Sequence, residues 1–297
     1  TLIKIQTMKI IIAGGSGFLG KELETYFRNK NHEVIIFTRN PKQQNEIFWD
    51  AKTIGNWTEF LENSDVLINL TGKSVDCRYT EKNKQEIYNS RIFSTRILQQ
   101  AIDTLQNPPK VWLNASSATI YIHSETHLNT EENGIIGDDF SMNICKSWEQ
   151  EFFKIENENI RKIALRTSIV LGNSGGAFPK MKLITKLGLG GKQGRGNQMM
   201  SWIYIDDFCR AVEFLIENEK ICGAVNVTAP NPITNKEFMK TLRKKIKIPF
   251  GIASPVWLLE IMSIFLKTET ELLLKSRNTF PKKLIDSGFN FKSNFFE

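Results

Sequence analysis

Lys9-Ile10-Ile11-Ile12-Ala13-Gly14-Gly15-Ser16-Gly17-Phe18-Leu19-Gly20 is the stretch that decides how this chain folds. Three consecutive isoleucines predict a strand covered on both faces, as in a parallel sheet. The strand runs without a spacer into Gly14-x-x-Gly17-x-x-Gly20, and a helical stretch, Phe18–Lys30, follows. Each glycine has a mechanical task in such a strand–turn–helix. Gly14 permits the tight turn, Gly17 lets a pyrophosphate approach the backbone, and Gly20 lets the helix pack closely on the strand. The helix N-terminus adds free N–H groups and the positive end of a dipole. Ser16, Phe18 and Leu19 lie between the glycines and are expected at the same dinucleotide site.

Working outward, the second strand, Glu33–Thr38, ends in Phe37-Thr38-Arg39-Asn40 with Lys42 close behind. Chains that take NAD usually place an acid here to bond the ribose hydroxyls. No acid is present. Arg39 can stack on adenine and pair with a 2′-phosphate through its planar fork, so Thr38 and Arg39 predict NADP as the cofactor. Further strands are expected at Val66–Asn69, Val111–Ala115 and Ile163–Val170, with helices at Glu81–Leu105 and Phe140–Ile155. After Asn69, the small residues of Leu70-Thr71-Gly72 fall where the cofactor would run. Alternation of this kind defines an α/β class: a Rossmann-type, doubly wound parallel sheet with helices on both faces.

From about Gly172 the pattern changes. A glycine-rich stretch, Gly188 to Gly196, leads into Trp202–Ile205, a helix from Asp206 and a strand near Ala224–Val227. The expected organisation is an NADP-binding domain over residues 8–172, completed by a returning segment 201–228. Residues 173–297 then supply a substrate loop and a small helical C-terminal lobe. Met8 stands immediately before the first strand, so residues 1–7 read as an upstream segment.

Composition excludes several classes. With 41% hydrophobic and 24% charged residues over 297 positions, the chain is that of an ordinary globular protein. No apolar run reaches the roughly 20 residues of a membrane span; Val256 to Leu266 is too short and carries Glu260. The net charge of +7 comes from lysines spread along helices, with no basic block interleaved with aromatics, so nucleic acid is not an expected partner. Cys77, Cys145, Cys209 and Cys222 are far apart and form no CxxC pair. His32, His123 and His127 have no ligand spacing, so neither a metal site nor a disulfide framework is expected. The first residues carry no export signal, and reduced thiols in a cytoplasm follow.

The chain resembles the short-chain dehydrogenases/reductases, specifically the extended, epimerase-like ones. Ser116-Ser117-Ala118-Thr119-Ile120-Tyr121 is similar to their serine-bearing strand end. Gly194-x-Gly196-x-Gln198 followed by Trp202-Ile203-Tyr204-Ile205-Asp206-Asp207 is similar to their substrate loop and the helix after it. Lys82-x-Lys84-Gln85-Glu86-Ile87-x-x-Ser90-Arg91, Cys145-x-x-Trp148-Glu149, Met200-Ser201-Trp202-Ile203 and Pro281-x-x-Leu284-x-x-x-Gly288-Phe289-x-Phe291 resemble, in that order, an uncharacterised epimerase family with its own C-terminal domain.

The resemblance implies a small hydroxylated substrate, a sugar nucleotide among the candidates, covered by a loop bearing Arg195, Gln198 and Trp202, with core packing the other reading of Trp202. It implies Ser117 as hydroxyl donor to the reacting oxygen. It also implies a tyrosine four residues before a lysine on the helix Phe140–Ile155, and there this chain departs. Aligning Glu149 with the family's glutamate puts Ser141 and Cys145 at those two places; sliding by one brings in Lys146 but puts Met142 in place of tyrosine. Tyr121 is then the first alternative acid, with packing its other reading. Met200 stands where an arginine is implied in the loop, and Arg195 is the neighbouring substitute. Three functions stay open: an NADP-dependent oxidoreductase or epimerase, an NADP(H)-binding sensor or scaffold without turnover, and an interaction protein whose cofactor is structural.

Overall fold

A computed structural model describes residues 7–266 and 269–297. Residues 1–6, most of the segment read as upstream, lie outside the described residues. The isoleucine run forms β1 (Lys9–Ala13) inside a seven-stranded, wholly parallel sheet. The other strands are β2 (Glu33–Thr38), β3 (Glu46–Phe48), β4 (Val66–Asn69), β5 (Val111–Ser117), β6 (Arg161–Thr167) and, returning late in the chain, β10 (Gly223–Val227). Their spatial order is β10-β6-β5-β4-β1-β2-β3, with Ile10 beside Val34 on one side and Val66 on the other. The order reverses at β1, so the C-terminal ends of β1 and β4 border a crevice of the kind in which doubly wound sheets bind ligands.

The sheet is apolar on both faces because helices cover both. Ile10 and Ile12 point toward α1 (Phe18–Arg28) and α5 (Ile205–Glu217), where Leu23, Phe27, Phe208 and Leu215 are fully buried. Ile11 and Ala13 point the other way, toward α2 (Glu81–Ile102) and α3 (Phe140–Phe153), with Leu98, Trp112 and Phe152. This is the period-2 alternation of a strand realised with apolar residues throughout.

Two regions differ from the expectation. The single strand expected over Ile163–Val170 breaks at Ser168. β6 stays in the main sheet, while β7 (Ile169–Leu171) leaves it to pair with β9 (Trp202–Tyr204). Ser168 N donates to Val227 O at 3.2 Å across the break. Beyond it, β8 (Met199–Met200) pairs with β11 (Ile233–Thr234), and α4 (Phe178–Ile184) and α6 (Asn235–Lys245) enclose Met200, Trp202, Phe238 and Leu242. Helices α7 (Val256–Leu266), α8 (Glu271–Leu274) and α9 (Lys282–Asp286) follow.

The C-terminus is not purely a separate helical lobe. Leu284 and Phe289 join the buried cluster on the α1/α5 face of the sheet, and Phe291 packs beside them. Burying this apolar spacing requires the chain to return to β10. No helix among the described residues is long and apolar enough to cross a membrane, and none of them group into a cluster of three or more potential metal ligands.

Candidate dinucleotide site

The turn after β1 has the geometry its glycines require. Gly14 adopts a φ of +71°, donates its N–H to Phe37 O at 2.9 Å and lies against Thr71, where a Cβ would come within 2.7 Å of the hydroxyl. At Gly20 a Cβ would meet the Gly15 carbonyl oxygen at 2.2 Å, so α1 sits as close to its strand as backbone allows. Gly17 is different: nothing lies within 4 Å of where its Cβ would be. It caps α1 without a side-chain hydrogen bond, and the first turn carries no acid. The first helical bond runs from Lys21 N to Gly17 O, which leaves the N–H groups of Phe18, Leu19 and Gly20 without helical partners. Free donors beside an open, side-chain-free approach fit a pyrophosphate. The Phe18 ring itself turns inward onto Gly172, Gly175 and Gly176, and Leu19 packs on the core, so both offer the site their backbone only.

The neighbouring strand ends complete this edge. Thr38 Oγ1 donates to Ser16 Oγ at 3.3 Å, linking the β2 end to the glycine turn. Arg39 is exposed and has no hydrogen bond or ion pair with any described residue. Leu70 N bonds to Ala13 O at 2.9 Å, and Thr71 N to the Asn69 side chain at 3.1 Å, which seats 70–72 beside Gly14. Gly72 in turn lies against the Arg91 guanidinium, whose carbon a Cβ there would approach to 3.2 Å.

At the end of β5, partly buried Ser117 accepts from Thr119 N at 3.2 Å and donates to Thr119 Oγ1 at 3.0 Å. It caps the short 3-10 turn Ala118–Ile120 and lies 3.5 Å from Thr167 O on the next strand. Of the two readings of Tyr121, acid or packing, the structure shows packing. Its side chain is 1% exposed. The hydroxyl donates to Asn226 Oδ1 at 2.9 Å and accepts from Arg166 at 2.8 Å. Burial outweighs these partners and pushes the phenol above its ordinary range. The expectation of Tyr121 as an acid at the substrate is therefore corrected to a structural role. Arg166 also forms a two-pronged pair with Glu149, at 2.9 and 2.7 Å, and Glu149 accepts from Ser116 at 2.6 Å. The network ties β5, α3, β6 and β10 together.

On α3, Ser141 donates to Glu271, Met142 is buried, and Lys146 turns outward to Asp138 at 3.0 Å. Cys145 faces Ile120 and Tyr121 in a small apolar cluster, and burial pushes its thiol up to about 12. In the loop, Arg195 is exposed, but Gln198 is buried, donating to Gln193 O at 2.9 Å and Leu273 O at 3.1 Å. Trp202 is 1% exposed, donates to Asn231 O at 3.1 Å and packs on Phe296. Gln198 therefore holds the loop from beneath instead of facing a substrate, and Trp202 takes its core reading. Two residues not singled out beforehand stand near the site. Arg91 was visible only as the end of a family-like motif, and Arg277 lies about fifty residues beyond the last strand expected from sequence.

A doubly wound parallel sheet with an open glycine turn at its topological switch defines a Rossmann-type nucleotide-binding protein. The chain belongs to the NAD dependent epimerase/dehydratase family, whose profile matches residues 10–228. It is 36% identical to the epimerase family protein YfhF of Bacillus subtilis over 96% of this chain and 94% of that protein. Among solved structures it resembles the human epimerase family protein SDR39U1 (isoform 2) with NADPH: TM-score 0.87, 28% identity, 97% of this chain and 96% of that one. It also resembles a nucleoside-diphosphate sugar epimerase from Corynebacterium glutamicum, at TM-score 0.79 and 26% identity. That match covers 98% of this chain but 56% of the other.

Proposed function

We propose that this protein is an NADP(H)-binding, epimerase-like oxidoreductase acting on a small hydroxylated molecule in the cytoplasm. The observation that carries the cofactor is the β2 end: Thr38, Arg39 and Asn40 in place of an acid, with the Arg39 guanidinium free to meet a 2′-phosphate. Gly17 and the uncapped start of α1 would hold the pyrophosphate, and Leu70-Thr71-Gly72 would flank the rest of the dinucleotide. Bound NADP(H) supplies hydride transfer. Ser117, at the same edge of the sheet, would orient a substrate oxygen through its hydroxyl, and the loop bearing Arg195 would cover the opening. The NADPH of the human relative and the nucleoside-diphosphate sugar named for the bacterial one support this reading. Calorimetry with NADPH and NADH tests it. NADPH should bind at least about tenfold more tightly, and Arg39→Ala should remove that preference, because charge-assisted bonds to one phosphate are lost. Equal affinities in the parent protein would overturn the assignment.

A second reading, a sensor or scaffold that binds NADP(H) without turnover, is favoured by one observation. Neither α3 nor Tyr121 presents an acid/base to the site: Ser141 is engaged by Glu271, Cys145 stays a neutral thiol and the Tyr121 hydroxyl is enclosed. A positioned acid/base contributes about 10²–10⁴-fold to hydride transfer from an alcohol, so ordinary alcohol or sugar oxidation should be slow. A screen of alcohols, ketones and nucleotide sugars with NADP and NADPH separates the readings. Tight cofactor binding with no turnover on any class favours the sensor.

A further inference from the structure

We propose that Arg91 and Arg277 form an anion-binding site beside the dinucleotide, and that the ligand of this protein carries a carboxylate or phosphate seated between them. The inference rests on the cofactor reading above and adds the charge of the second ligand. Arg91 rises from α2, lays its guanidinium 5.0 Å from the centre of the Trp148 ring and touches Gly72 of the loop after β4. One terminal nitrogen, Nη1, donates to Lys73 O at 3.1 Å and Ile87 O at 2.9 Å. Arg277 comes from the segment before α9. Its Nε reaches Thr119 Oγ1 at 3.4 Å and its Nη1 the Ser276 carbonyl at 3.2 Å. Thr119 is hydrogen-bonded to Ser117, which places Arg277 next to the proposed substrate donor.

Both residues keep part of their surface exposed, while the protein packed round each guanidinium makes desolvation the leading influence on it. Arg91 lies against the loop after β4 and Arg277 against the turn after β5, the ends of two neighbouring strands, and both act electrostatically on Cys145. Neither forms an ion pair with a carboxylate among the described residues. Asp139 and Glu271 exert an attraction on Arg277, but Lys275 is salt-bridged to both. A buried cation without a counter-ion is costly unless its donors are met. Arg161 shows the structural solution: also without a carboxylate, it gives three bonds of 2.7–2.9 Å to Leu215 O, Ile216 O and Ile221 O. Arg91 and Arg277 are not satisfied in that way. The Nη2 groups of both, and Nε of Arg91, meet no protein acceptor among the described residues. Two planar forks with free donors at neighbouring strand ends are suited to an oxyanion.

The test uses full-length protein loaded with NADPH and titrated, at constant ionic strength, with inorganic phosphate and separately with acetate. Protein-bound NADPH fluorescence and calorimetry report binding. Saturable binding of at least one anion is expected, weakened about tenfold or more by Arg277→Gln and by Arg91→Gln, and better preserved by Arg277→Lys. Which anion binds more tightly identifies phosphate or carboxylate as the ligand's group. NADPH affinity should stay within about twofold in all variants, a change too small to signal a lost phosphate contact. If Arg91→Gln does not fold, Arg277→Gln alone decides. Absence of saturable binding by either anion, or glutamine variants that bind like the parent, would overturn the proposal. So would a loss of NADPH affinity parallel to the loss of anion affinity, since the arginines would then serve cofactor phosphates. Should the parent fail to bind NADPH, the cofactor reading falls, and the same titrations on the apoprotein still decide the arginine pair.

Discussion

Tyr121 shows what single residues conceal in a sequence. Its neighbours Ser117 and Thr119 sit where a ligand could reach, and strand-end position alone gives no sign that the next aromatic turns inward. Its partners, Arg166 and Asn226, are 45 and 105 residues away, so the enclosure is a product of tertiary structure. Tyr121→Phe should lower stability by about 1–3 kcal/mol, because it leaves the Arg166 fork and the Asn226 carbonyl short of a partner in the interior. NADPH affinity should be unchanged; denaturant unfolding and calorimetry on one preparation check both. Cysteine reactivity follows equally from placement. Burial pushes the Cys145 thiol up to about 12, whereas Cys222 is exposed. Native protein treated briefly with iodoacetamide at pH 8 should be modified at Cys222 and not at Cys145, as read by peptide mass spectrometry. Rapid labelling of Cys145 would mean that it faces the site. The position of Arg39, by contrast, was legible from sequence: it stands exposed just past the end of β2, where no acid is present.

At the scale of elements, β1, the glycine turn and α1 were readable as a unit because local rules agree: apolar run, glycine spacing, helix start. Two of those glycines nevertheless do different physical work. Gly20 lies against the backbone of Gly15, and Gly17 faces open space. Gly20→Ala should therefore push α1 off its strand, at a cost of about 1–3 kcal/mol from overpacking, and weaken NADPH binding as a consequence. Gly17→Val should keep the parent melting temperature and lose the cofactor, since its side chain would stand where the pyrophosphate approaches. Thermal unfolding and NADPH titration of the two variants distinguish these outcomes; a Gly17→Val protein that binds normally would displace the dinucleotide from this turn. The break between β6 and β7 was not legible. Ile163 to Val170 reads as one β-branched run, and only the pairing of Ile169–Leu171 with Trp202–Tyr204, some thirty residues on, pulls its end out of the main sheet.

For the molecule as a whole, the nucleotide-binding half announces itself through alternating strands and helices, whereas the C-terminal third does not. Outside the apolar run of α7, its apolar residues are scattered over short helices and coil, and several find partners only by crossing the fold. Leu284 and Phe289 are buried with α1 and α5, and Phe296 stacks on Phe238 with ring centres 4.3 Å apart. Between these anchors, Asp207 at the start of α5 accepts the N–H groups of Lys292 at 2.9 Å and Ser293 at 3.0 Å, and pairs with Arg210 at 2.6 Å. Asp207 lies in the first turn of α5, and its buried carboxylate is the clasp of the tail. The same C-terminal segment carries Arg277, so the tail fixes one wall of the proposed anion site as well as covering the sheet. Phe289→Ala should cost about 3–5 kcal/mol, as for other large aromatics truncated in a core. Asp207→Asn keeps the shape but loses charge-assisted bonds to two backbone N–H groups and an arginine, worth about 1.5–3 kcal/mol each at most. It should loosen the tail while leaving the glycine turn intact. Hydrogen exchange can resolve this: in Asp207→Asn, amides from 284 to 297 should lose protection ahead of those of β1, and NADPH binding should persist. Uniform loss of protection across the sheet would show instead that the tail and the nucleotide-binding half unfold as one unit, with Asp207 supporting both.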